Sequence, residues 1–227
     1  MNDALSTQVK KYMKLLIVYI ILFLPFKLLA QIAFEDSAKV FFSEVNKLRS
    51  NPKAFKDYLI SFASDKAEYN PDVKVRGFIT TDSTGLLALN DAIAYLDTVK
   101  PLGALHYSEA IYKAIGDHTG IDTVTGIVKH DRKLFSRISK YDKSFHAFGE
   151  NFALVSKTGQ IGAKKKTTEM SMKEALTLFV IDITMYHQKR FRGGHRKAFF
   201  NPRYKFTAIK LVKVKYQVYL FQEFAGK

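Results

Sequence analysis

The chain closes on two β-rich runs, Phe206–Val214 and Tyr216–Phe224, with only Lys215 between them. The second, Tyr216-Gln-Val-Tyr-Leu-Phe-Gln-Glu-Phe, alternates in part, as a strand with one covered face does. One earlier stretch, Gly149–Val155, is apolar enough for a strand, and the helical patterns otherwise fill the chain upstream. Helices first and strands late argue an α+β fold, with helices packed on a mostly antiparallel sheet. No internal repeat interrupts that order.

The helical patterns can be placed one by one. Ser37 is a candidate cap for a first helix whose apolar face is Val40, Phe41, Val45 and Leu48. Asn51-Pro52 ends it and opens a second, with Asn as cap and Pro at the first position. Ala54, Phe55, Tyr58 and Leu59 form its apolar side. Residues 63–84 are polar and aperiodic, which predicts a loop. A third helix is expected over Leu86–Thr98, ahead of Pro101. Ser108 starts a fourth, with Ile111, Ala114, Ile115 and His118 on one face, and Gly120 ends it. Residues 121–148 read as irregular apart from a helical turn near Leu134–Ser139. Ile161–Met170 reads as a basic loop. Ser171 and Glu174 form a capping box, opening a helix with Leu176, Phe179, Val180 and Ile183 on one face. Gly193-Gly194-His195 reads as a turn.

At the other end, Lys10, Lys11 and Lys14 precede the apolar run Leu15–Leu24. Pro25 and Leu28-Leu29-Ala30-Gln31 follow. That is the pattern of a secretory leader, with cleavage expected after Ala30 and Met13 as an alternative start. The run is shorter than the roughly 20 apolar residues of a spanning helix, so no transmembrane anchor is expected. With no Cys after it, lipid attachment there is excluded. Residues 31–227 then form a single exported domain, secreted or periplasmic. Hydrophobic residues are 47% and charged residues 25% of the chain, so wholesale disorder is excluded. Cysteine is 0, which excludes a disulfide framework, a thiolate metal site and a Cys nucleophile.

Local motifs indicate no enzyme class. The six His (His106, His118, His130, His146, His187 and His195) include no pair at metal-helix spacing. There is no phosphate-cradling glycine loop, no dinucleotide fingerprint and no Gly-x-Ser-x-Gly elbow, so no organic cofactor is expected. A dispersed pattern is more telling. It runs Val45-Asn-Lys-Leu-Arg-Ser-Asn-Pro-Lys53, Ala114-Ile-Gly-Asp-His118, Gly126-Ile-Val-Lys-His130, Gly149-Glu150-Asn151-Phe152 and Leu178-Phe-Val-Ile-Asp182. Gly194-His-Arg-Lys-Ala-Phe-Phe-Asn-Pro202 and the closing Tyr219-Leu-Phe-Gln-Glu-Phe224 complete it. In order and spacing this resembles the CAP (SCP) domain family of cysteine-rich secretory and pathogenesis-related proteins, in its bacterial extracellular form, over about residues 37–225.

That resemblance implies a three-layer α-β-α sandwich with a cleft lined by His130, Glu150, Asp182 and His195, and with Asn151 buttressing the loop beside Glu150. The family's Trp and Glu on the helix before the last His stand here as Phe179 and Asp182, and the chain has no Trp. Neutral imidazoles suit zinc or a similar divalent ion. A weakly held metal bridging His130 and His195 is thus one expectation, with Glu150 or Asp182 as general base. The plainer alternative is a hydrogen-bonded acid–imidazole network that shapes the cleft without turnover. His118 reads as a satisfied core histidine, Asn46 and Arg49 as packing and hydrogen-bonding groups, and Arg196 as the partner of a carboxylate.

Three functions stay open at this level. The first is a binding module for a small hydrophobic ligand, a glycan or other envelope polymer, or a protein partner. The second is a hydrolase of peptide or cell-envelope bonds. The third is an adhesion protein working through its positive surface, since the net charge is +15. The basic runs Lys164–Lys166 and Lys189–Arg192 belong to that third reading. Export argues against nucleic acid as a partner, and the oligomeric state is not specified.

Overall fold

A computed structural model of the chain describes Tyr12 and residues 35–67, 83–122, 124–161, 164–169, 171–182 and 193–227. The chain divides into two compact units, Met1–Ser37 and Ala38–Lys227. The leader lies, Tyr12 apart, outside the described residues, as do Ile183, His187 and Lys189–Arg192. Among the described residues no helix is long and apolar enough to cross a membrane.

Helix α1 is described over 35–50. α2 (Pro52–Ala67) and α3 (Ser83–Thr98) follow. The short strand β1 (His106–Tyr107) leads to α4 (Glu109–Gly116) and α5 (Leu134–Tyr141). β2 (Ala147–Ile161) and β3 (Lys164–Glu169) form a hairpin. α6 (Met172–Ile181) and α7 (Gly194–Phe199) precede the closing pair β4 (Phe206–Val214) and β5 (Gln217–Gly226).

The caps explain where the helices begin. The Ala54 N–H donates to Asn51 Oδ1 at 3.1 Å, and Pro52 takes the first helical position, where its missing N–H costs nothing. Ser108 caps α4 by accepting from the Ile111 N–H. Ser171 and Glu174 make the reciprocal capping box of α6.

The sheet has 5 strands in the order β1-β4-β5-β2-β3. Only β1 against β4 is parallel; the other neighbours are antiparallel. Side-chain alternation divides β5 between two cores. Val218, Leu220 and Phe224 face the larger one with Phe41, Val45 and Leu48 of α1, Leu59 of α2, Leu96 of α3, Phe179 of α6 and Phe199 of α7. Tyr219, Phe221 and Ala225 face the smaller one with Ile111 and Ile115 of α4 and Ile138 of α5. Helices therefore cover both faces of a mostly antiparallel sheet, the three-layer α+β sandwich expected.

Several local expectations are corrected. Ser37 does not start α1, which is already helical at residue 35. α2 continues to Ala67 and α3 begins at Ser83, which shortens the 63–84 loop from both ends. Ile161–Met170 is mostly strand, because Lys164–Glu169 pairs with Ser156–Ile161. A Lys-rich sequence suits that place, since charge on an edge strand discourages further pairing. Gly193 is not merely in a turn: at φ +67 it caps α7, and a Cβ there would meet the Arg196 guanidinium at 2.8–2.9 Å.

Candidate functional site

Glu150 and Asn151 are neighbours on β2, opposite Glu223 and Gln222 of β5. As consecutive strand residues they point to opposite faces of the sheet. Each anchors a different histidine, Glu150 through the His130 ring and Asn151 through the His195 main chain.

Glu150 faces α4 and α5. Its Oε1 lies 2.7 Å from His130 Nδ1. Oε2 accepts from Arg137 Nη2 at 3.1 Å and lies 3.0 Å from His118 Nε2. The last contact is close, but the N–H is not aimed along it as in a hydrogen bond. The Glu150 side chain is only 4% exposed. Burial alone would raise its carboxyl, but His118 and His130 outweigh that and hold it at about 2. An ionised carboxylate can only accept, so His130 Nδ1 carries the proton and Nε2 is the ring's acceptor. The His130 side chain is 52% exposed and its ring packs on Phe152 with centroids 4.6 Å apart. His118 has the opposite tautomer, because its Nδ1 accepts from the Gly120 N–H at 3.1 Å.

Arg137 ties this face together. Beyond Glu150, Nη1 donates to Glu223 Oε1 and to the Ala114 carbonyl, both at 2.6 Å, and Nε lies 2.8 Å from Asp131 Oδ2. Asp131 also accepts the backbone N–H groups of Thr119 and Lys133. Burial opposes ionisation of Asp131, yet those hydrogen bonds and Arg137 hold it at about 2. Glu223 behaves oppositely: burial raises its carboxyl to about 7 against the pull of Arg137. Among the described residues its Oε2 has no hydrogen-bond partner.

Asn151 faces the larger core, where Nδ2 donates to the His195 carbonyl at 3.2 Å. Asp182 holds the same residue twice. Its Oδ1 lies 2.7 Å from His195 Nδ1, and Oδ2 accepts the His195 N–H at 3.2 Å. Asp182 reaches this position as the left-handed C-cap of α6, at φ 56 and ψ 42. The His195 ring meets the edge of Phe179 with centroids 5.2 Å apart. The helix pair Phe179 and Asp182 is thus used jointly on one imidazole. Arg196 reaches back to the Val180 and Ile181 carbonyls at the end of α6 and pairs with Asp91.

The structure therefore brings the expected residues together as two pairs, His130 with Glu150 and His195 with Asp182, linked through adjacent positions of β2. Both imidazoles spend Nδ1 on a carboxylate. Among the described residues no group of three or more His, Cys, Asp or Glu side chains could hold a metal ion.

Sequence reading missed Arg137, Asp131 and Glu223, and it assigned His118 to the core alone. His118 is indeed buried, at 7% exposure, but it also touches Glu150. A Gln-Glu pair inside an otherwise apolar strand was the available signal for Glu223. Asn46 and Arg49 are structural. Asn46 exchanges hydrogen bonds with the Leu105 backbone. Arg49 donates to the carbonyls of Gly103, Phe199 and Tyr204, and burial lowers its pKa to about 10.

Comparison with known proteins gives distant likenesses. No protein-family model matches the chain, and no curated protein matches it. An outer surface protein of Borrelia burgdorferi aligns at 15% identity and TM-score 0.39, over 63% of this chain and 90% of that one. A cysteine-rich secretory protein from Staphylococcus aureus aligns at 10% identity and TM-score 0.35, over 63% of this chain and 38% of that one.

Proposed function

We propose that this is an exported CAP-like binding module that recognises a hydroxyl-rich ligand, of the envelope-glycan class, at His130. The observation that carries the reading is the contrast within one pair: a half-exposed imidazole is fixed by a carboxylate that is 4% exposed. A buried partner sets the ring orientation before any ligand arrives, which lowers the ordering cost of binding. With Nδ1–H committed to Glu150, Nε2 accepts a hydrogen bond from a ligand hydroxyl. Phe152 supplies the flat apolar surface beside it. The order of sequence motifs supports the CAP-like assignment, and the leader pattern supports export.

Calorimetric titration with a panel of neutral envelope oligosaccharides tests the reading. Binding that is lost in both His130→Ala and Glu150→Gln supports it. Binding that survives both substitutions, or none across the panel, overturns it.

A second reading, hydrolysis, draws on the Asp182–His195 pair. A carboxylate on Nδ1 with Nε2 left as a base is the arrangement of a general base and its orienting group. Among the described residues, however, no hydroxyl is hydrogen-bonded to either imidazole, so binding is preferred. Release of reducing ends by wild type but not by Asp182→Asn would reverse that preference.

A further inference from the structure

Between the two core-facing positions Ile121 and Leu134 the chain crosses the surface of the smaller core. Ile121 and Val128 bridge each other and pack inward. Asp131 is turned inward onto Arg137, and Leu134 packs against the core. These anchors leave the intervening side chains outside. Val124 is 79% exposed, Ile127 50% and Phe135 63%, and Lys129, Arg132 and Lys133 are all exposed.

The acids of this segment are already used. Asp122 accepts the N–H groups of Val124 and Thr125 and the Thr125 hydroxyl, which folds the tip of the turn. Asp131 is held by Arg137 and by two backbone N–H groups. Among the described residues no carboxylate pairs with Lys129, Arg132 or Lys133. The outward surface therefore combines three unneutralised cations with two aliphatic side chains, one at the tip of a tight turn and one beside it, and an exposed phenyl ring.

We infer that the segment 124–135 docks on an anionic lipid bilayer, with Val124 and Ile127 entering the headgroup boundary and Lys129, Arg132 and Lys133 on the anionic headgroups. Charge complementarity identifies the sign of the partner. The aliphatic tip distinguishes a bilayer from a soluble anionic polymer: it gains nothing against a hydrated chain, whereas the bilayer boundary removes it from water. This inference does not depend on the ligand proposed for His130.

Co-sedimentation of the full chain with vesicles tests it. One set is pure phosphatidylcholine and the other contains phosphatidylglycerol. The leader is itself basic and adds its own preference for anionic vesicles, so the readout is the change in that preference between wild type and each variant. Lys129→Gln/Arg132→Gln/Lys133→Gln should reduce that preference by about fivefold per cation, or roughly a hundredfold together. Val124→Ser/Ile127→Ser should weaken anionic-vesicle binding while leaving capture by soluble dextran sulfate unchanged. These positions are exposed, and circular dichroism checks that the fold is intact. A control, Lys53→Gln/Lys100→Gln/Lys205→Gln, removes three exposed cations elsewhere. Equal losses in the control and in the segment variant overturn the inference, since net charge alone would then suffice. Undiminished anionic-vesicle binding by Val124→Ser/Ile127→Ser also overturns it, in favour of a purely electrostatic polymer surface.

Discussion

Glu223 and Glu150 stand side by side on adjacent strands, yet their acidities move apart. Directly opposed like charges destabilise a sheet, and here Arg137 lies between them. Because Glu223 titrates near 7 in the fold, the folded chain keeps a proton that the unfolded chain releases at ordinary carboxyl values. Its effect is therefore neutral below the ordinary range and increasingly destabilising as pH rises to about 7. Glu150 and Asp131, held at about 2, act in the other sense. Their stabilisation is present above the ordinary range and is lost as pH falls towards 2. Glu223→Gln is expected to raise stability at pH 8 by a few kcal/mol and to have a much smaller effect at pH 5, read from urea unfolding at both. Equal effects at the two pH values would contradict the assignment. At Gly149, a Cβ would stand 2.5 Å from the Tyr204 hydroxyl, which donates to the Phe148 carbonyl. Gly149→Ala should therefore cost about 1–3 kcal/mol by overpacking, measured in the same way.

Among the elements, α6 has the sharpest coupling between local structure and site. Its C-cap residue is also the group that orients His195, and its last carbonyls are met by Arg196. Asn tolerates the left-handed conformation nearly as well as Asp. Asp182→Asn should thus keep the cap but lose one of the two hydrogen bonds to His195, at a cost of about 1–3 kcal/mol, while releasing the His195 tautomer, visible in the ring nitrogen resonances. A ring that keeps Nδ1 protonated would count against the pair as described. On β2, Asn151→Ala removes the hydrogen bond to the His195 carbonyl in a buried setting and should cost about 1–3 kcal/mol of stability. The same strand shows why sequence reading fell short of the site. Its motif named Glu150 and Asn151, but a strand sends neighbours to opposite faces, so the expected single quartet divides into two pairs. Arg137 could not be found by pattern: it stands in an eight-residue helix, and its partners come from four separate segments.

Across the whole molecule, the β4 bounds and the capping of α4 and α6 were legible because periodicity and caps are local signals. β3 was not, because its Lys and Thr residues carry no apolar alternation and its strand character comes from pairing with β2. The last strand described, β5, lies at the middle of the sheet, with β4 on one side and β2 on the other. A chain ending at Val214 should consequently show no cooperative thermal transition, since both cores lose their central wall; a sharp transition in that truncation would contradict the topology. The order also bears on timing. A polypeptide made from its N-terminus meets its central strand last, so both cores close only in one late step, once residue 226 has emerged.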